Sequence, residues 1–258
     1  MKINLFNRVG LYTIVRREVI RFMRIWSQTL LPPVVSAWLY FVIFGHFMGP
    51  RMGVIDGFSY IEYIVPGLVM MSMINASYGN VVASFFLAKF QRNIEEMLVS
   101  SLDNHSILAG FVLGGMARGV LVGFLVMLTS TLFVPFPIKN TFILFFVWVL
   151  TALLFSLAGF LNGVFAKKFD DINIVPSFIL TPLIYLGGVF YSVKYLSAFW
   201  QQITYFNPLF YIVNAFRFGM LGYSEVNIGI VLGMMIFFSV GLYSLSFWLL
   251  AKGVGIKT

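Results

Sequence analysis

The chain contains no cysteine in 258 residues, so it forms no disulfide and offers no thiolate to a metal. Charge is almost as scarce. Only 10% of residues are charged, and acids are the rarer sign, 9 against 17 lysines and arginines. Several signatures are also missing. There is no G-x-x-x-x-G-K-[ST] loop, so the chain does not bind ATP by a Walker motif, and neither H-E-x-x-H nor G-x-S-x-G occurs. The two histidines, His46 and His105, lie far apart and read as interfacial or solvated groups rather than ligands. No carboxylate falls in the middle of a long apolar run. That weighs against an ion-coupled secondary transporter, which needs acids within the membrane.

What is present is apolar. Hydrophobic residues make up 60% of the chain and aromatics 18%, with a mean hydropathy of +0.94. A soluble domain of this composition would have no polar surface. The few charges cluster between apolar runs of bilayer length, the pattern of an all-α polytopic membrane protein. The length allows about six or seven spans of about 20 residues and no second folded domain. Residues 1–258 thus read as one transmembrane unit. The formal charge of +8 flanks apolar runs instead of forming one patch, which argues for membrane topology and against nucleic acid.

Residues 1–26 are basic but lack the compact apolar core and cleavage site of a secretory signal, so retention is expected. Positions 4–25 have helical amphipathy. Leu5, Val9, Tyr12, Val15, Val19, Phe22 and Met23 share one side; Thr13, Arg17, Arg21 and Arg24 share the other, with Arg8 and Arg16 interrupting the apolar face. This suits a helix lying on an anionic cytoplasmic lipid surface.

Spans are expected at about 28–48, 60–85, 115–135, 141–166, 172–191 and 226–251, with Pro66-Gly67 kinking the second or weakening its start. Gly49 to Ser59 reads as a turn-rich loop. Segment 192–225 is too short for two further crossings yet rich in aromatics. Asn207-Pro208 starts a helix there, with Asn as cap and Pro in the first turn, and Gly219 or Gly222 ends it. Two short re-entrant helices are expected in this segment.

With the N-terminus inside, twelve cations fall on the cytoplasmic side: Lys2, Arg8, Arg16, Arg17, Arg21, Arg24, Lys89, Arg92, Lys167, Lys168, Lys252 and Lys257. Arg51, Lys139, Lys194 and Arg217 fall outside, and Arg118 is unassigned. The bias places both termini in the cytoplasm. Arg118 reads as snorkelling to the interface if its span starts near 115, or as intramembrane if the span starts near 107. Gly115, Gly119 and Gly123 form a small-residue row for close helix packing, within the bundle or between subunits. Segment 86–106 is the longest polar internal loop. Within 89–98, Phe90, Ile94 and Met97/Leu98 recur at helical spacing, while Lys89, Arg92, Asn93 and Glu96 fall on another face. That stretch is either a lever for a cytoplasmic motor or a solvated loop with pairs such as Arg92 with Glu95 or Glu96.

Seven stretches in this order resemble the membrane subunit of an ABC exporter of the ABC-2 type: RFMRIW at 21–26, YIVPGL at 63–68, KFQRNIEE at 89–96, LAGFLNG at 157–163, FDD at 169–171, TPLIYLGGVF at 181–190, and NPLFYIVNAFR at 207–217. The likeness covers nearly the whole chain. It implies six spans, an interfacial N-terminal helix, a coupling helix between the second and third spans, and a homodimer paired with separate ATP-binding subunits. ATP and magnesium would be held by those partners, with no cofactor in this chain. By this resemblance Lys89, Arg92, Glu95 and Glu96 form the coupling helix, and Phe169, Asp170 and Asp171 a second contact with the ATPase. Tyr195, Asn207, Pro208 and Arg217 form an outer gate. The implied setting is a bacterial inner membrane, and the implied cargo a lipid, glycolipid or hydrophobic drug. A secondary transporter and a non-transporting scaffold are the alternatives.

Overall fold

The computed structural model describes residues 7–134 and 138–255. Lys2, Leu5 and Lys257, and the end of the span expected to reach 135, lie outside the described residues. Among the described residues ten helices follow one another: α1 (Arg8–Arg24), α2 (Trp26–Met52), α3 (Tyr60–Phe90), α4 (Asn93–Val99), α5 (Asn104–Ser130), α6 (Thr141–Phe165), α7 (Asp171–Tyr185), α8 (Ala198–Phe206), α9 (Pro208–Leu221) and α10 (Ile228–Lys252). Five of them, α2, α3, α5, α6 and α10, are long and apolar enough to cross a membrane. The sixth expected span, α7, has 15 residues, or about 22 Å of helix. It ends at Tyr185, not at 191, because the chain turns through Gly187 and the left-handed Gly188 (φ +69°).

The third span needs a larger correction. Asp103 caps α5 by accepting from Ser106 N at 2.9 Å, so the helix starts at Asn104 rather than near 115. Pro66 neither breaks nor delays α3, which runs on to Phe90. The expected loop after the first span is partly ordered as a hairpin, Val54–Ile55 against Phe58–Ser59, around Asp56 (φ +50°) and Gly57 (φ +87°). Asp-Gly with both φ positive is the turn that matches strand twist.

Helix α3 is the centre, mostly buried against α5 and α6, whereas α2 and α10 are largely exposed. Glycines set the close approach. A Cβ on Gly159 would stand 2.5 Å from Tyr78 O, and one on Gly119 would overlap the Ser77 hydroxyl. Gly115 faces Val81 and Ser156, and Gly123 faces Trp148. The glycine row is therefore used inside one copy, between α5 and its neighbours α3 and α6, and is not an intersubunit face.

Helix α1 packs on α5 by another stripe than expected. Ile14, Glu18 and Phe22 are buried, while Val9, Tyr12 and Met23 are exposed. Gly110 and Gly114 of α5 receive Ile14 and Glu18. Buried Glu18 accepts from Arg21 at 3.0 Å, Arg17 at 3.2 Å and Ser84, and Arg21 also donates to Asn80 Oδ1 at 3.0 Å. This network ties α1 to α3. His105 is not a solvated group. It meets Tyr243 Oη at 2.8 Å and stacks on Phe247.

Candidate functional site: two polar ends of the bundle

At one end lie α4, the 166–170 turn, Asn7 and Gly255: Asn7 N donates to Asp103, and Gly255 abuts Val164. The expected helix 89–98 is in fact two elements. The chain breaks at Gln91 and Arg92, whose φ of +61° is left-handed, and α4 begins at Asn93. Lys89 therefore belongs to α3, and its Nζ donates to Val164 O at 2.7 Å and Ala166 O at 2.6 Å, stabilising the carbonyl end of α6. Lys89 is turned inward, away from any docking surface.

Helix α4 is held by one fully buried side chain, Ile94. Arg92, Glu95 and Glu96 are exposed, and among the described residues no ion pair joins Arg92 to either acid. Val99, at the end of α4, is 88% exposed. Phe169 stacks edge-on against Phe86 (5.0 Å) and Phe90 (4.9 Å), so the turn after α6 lies against the foot of α3. Asp170 is exposed. Asp171 accepts from Lys167 N at 2.8 Å and Lys168 N at 2.9 Å, and these two N–H groups hold its carboxyl below the usual carboxylate range. The result is a platform, α4 and the Phe169 turn, with exposed acids and aromatics on a rigid base.

At the other end, the four gate residues do not form one cluster. Tyr195 is exposed on a 3₁₀ turn. Asn207 caps α9 through Leu209 N (2.9 Å) and donates to Leu183 O (2.6 Å), joining α9 to α7, with Pro208 in the first helical turn. Arg217, counted on the outer side and within a short re-entrant helix by the sequence reading, is fully buried in α9. Its guanidinium lies 3.9 Å over the Tyr63 ring and donates to Gly188 O (2.8 Å), Tyr63 O (3.4 Å) and Asn214 Oδ1 (3.4 Å).

Sequence reasoning missed the partners of this arginine. Tyr63 Oη and Ser192 Oγ both donate to Glu225 Oε1, at 3.2 and 2.9 Å. Nearby, Lys194 Nζ donates to Asp56 Oδ1 (2.9 Å) and Tyr223 Oη (2.6 Å), and these partners raise the lysine's pKa. The Lys194 cluster joins the hairpin to the segment after α9, and the Arg217 network joins α3, the Gly188 turn and α9. The small polar spacing Asn214 to Arg217 was the one sequence signal, since i and i+3 share a helix face.

The family profile of the ABC-2 type transporters matches residues 10–221. The chain belongs to the ABC-2 type transporter family. It is similar along 97% of its length, at 52% identity, to the Inner membrane transport permease YadH of Escherichia coli (strain K12), 98% of which is covered. It is 25% identical over 92% of its length to Nodulation protein J of Neorhizobium galegae, 91% of which is covered. A third relative, Nodulation protein J of Rhizobium meliloti (strain 1021), is 24% identical, with 92% of this chain and 91% of the relative covered. ABC-2 membership makes the five long helices and the shorter α7 parts of a multi-pass membrane transporter subunit.

Proposed function

We propose that this chain is the permease subunit of an ATP-driven exporter in a bacterial inner membrane. Two copies pair with separate ATP-binding subunits and move an amphipathic or bulky cargo outward. The observation that supports this reading best is the platform at the charged end: a short helix, α4, seated on the bundle by Ile94, Met97 and Leu98, with Glu95 and Glu96 and the preceding Arg92 exposed, and Phe169 exposed on the turn against the foot of α3. An ATPase closing on bound nucleotide can push on such a helix. Because α4 follows α3 after two residues, the push reaches the most buried of the five long helices.

In this reading Arg92, Glu95, Glu96, Phe169 and Asp170 meet the ATPase, while Lys89 and Asp171 shape the surface from beneath. The short helices α8 and α9 form the outer gate from one side of the membrane, and both chain ends are cytoplasmic. The charge distribution supports that orientation. Arg8, Arg16, Arg17, Arg21, Arg24, Lys89, Arg92, Lys167, Lys168 and Lys252 lie toward the α4 end, against Arg51, Lys139 and Lys194 at the other.

Affinity purification of the tagged chain from its own membrane in mild detergent tests the pairing. A Walker-motif protein recovered at about one per permease supports it, and repeated recovery of intact permease without one refutes it. Glu96→Lys should abolish ATP-dependent transport while leaving insertion and folding intact.

A further inference from the structure

Arg118 sits near the mid-length of α5, and its surroundings put that level near the mid-length of two more helices. The adjacent Gly119 abuts Met73 and Ser77 of α3, while Gly115 and Gly123 abut Ser156 and Trp148 of α6. The snorkelling position expected from a span starting near 115 is therefore corrected. A guanidinium at such depth is costly unless something neutralises it. Its Nη2 donates to Thr29 O at 3.1 Å, and its enclosed Nε has no partner. Among the described residues no ion pair includes Arg118. Arg21 is matched by Glu18; Arg118 has no such match.

Arg118 lines a groove of about 300 Å³ between α2 and α3. Ser36, Tyr40, Ser72 and Asn75 supply polar groups there, Leu68 and Met71 supply apolar surface, and no carboxylate contributes. Asn75 is exposed at the middle of α3. Hydroxyls and an amide beside an unmatched cation do not suit acyl chains alone, but they suit an oxyanion carried on an apolar body. A second groove of about 530 Å³, toward the α4 end, is lined by Arg17, Arg21 and Arg24 together with Glu18.

We propose that Arg118 binds the phosphate headgroup of an amphiphile lodged between α2 and α3, which makes anionic amphiphiles the cargo class. The cargo half rests on the exporter reading above; the binding half does not. The same chemistry could come from a phospholipid that stays bound.

The full-length permease, purified without its partner, is probed by native mass spectrometry with dioleoylphosphatidylglycerol and, separately, dioleoylphosphatidylcholine. Wild type should retain the anionic lipid preferentially, Arg118→Gln should bind it about tenfold more weakly, and Arg118→Lys should fall between. Thermal melting checks that Arg118→Gln is folded. Should it not fold, Ser36→Leu with Ser72→Leu, which fills the groove and keeps the arginine, should weaken retention instead. Equal retention of both lipids by wild type overturns the proposal, as does undiminished retention of the anionic lipid by folded Arg118→Gln or by the groove-filled variant.

A second arm uses vesicles holding permease and ATPase, with a fluorescent phosphatidylglycerol followed by dithionite quenching. ATP-driven movement that Arg118→Gln abolishes identifies cargo. Retention without movement identifies a resident phospholipid in the same site and overturns the cargo half. If no ATPase-driven transport exists at all, the binding arm still decides the site.

Discussion

Arg217 is the largest side chain that the bundle encloses completely. Its charge is tolerated because two carbonyls, an amide and an aromatic face surround it, and because Glu225 lies beyond the Tyr63 hydroxyl. A planar fork reaches Gly188 O and Tyr63 O together, which a single ammonium cannot do. Arg217→Lys should therefore lower stability by about 2–4 kcal/mol, seen as a lower thermal midpoint in detergent, while Arg51→Lys on the exposed end of α2 should leave it unchanged. Residue identity alone did not disclose this. In sequence Arg217 follows a run of aromatics and precedes Gly219 and Gly222, like a residue on the outer face of a short re-entrant helix. Glu18 was not singled out in sequence, where one acid among arginines on an amphipathic helix carries no signal of burial, yet it faces the core, where Arg21, Arg17 and Ser84 all converge on it.

At the scale of elements, the long apolar runs were legible because hydropathy over about 20 residues is a strong signal. The spans at 60, 141 and 228 start within two residues of expectation. Starts set by capping were less legible: Asp103 opens α5 inside the polar segment 86–106, and a span expected to start near 115 missed it. The break at Arg92 was hidden because periodicity continues across it while the backbone does not. Glycine contacts belong to this scale too. Gly159→Ala would drive a Cβ against the Tyr78 backbone, which cannot rotate aside, and should cost about 1–3 kcal/mol. Gly79→Ala, with nothing within 4 Å, should be neutral or slightly stabilising. Paired melting curves of the two variants check the packing of α3 on α6, and equal shifts would contradict it.

For the whole molecule, the outward surface is uneven. Exposed α10 shows Ile230, Phe237, Phe238, Val240 and Trp248, a surface suited to acyl chains. On α7, Phe178 is exposed as well. A second copy should cover the face of α7 that carries Phe178. Since the chain has no cysteine, single substitutions report contacts directly. Phe178→Cys should give oxidised dimers in membranes and Phe237→Cys should not; the reverse pattern would place the pairing surface on α10. Such a surface was not legible from hydropathy, because a face that meets lipid and a face that meets another copy are both apolar in sequence.

The central claim is that a separate motor works through α4, and Val99, 88% exposed at the end of that helix, is the place to ask. Val99→Cys labelled with a benzophenone maleimide and illuminated in native membranes should capture one Walker-motif protein, with the adduct lost in Glu96→Lys. Capture of lipid alone at Val99, or capture of the ATPase from Tyr195→Cys at the opposite end instead, would contradict the account.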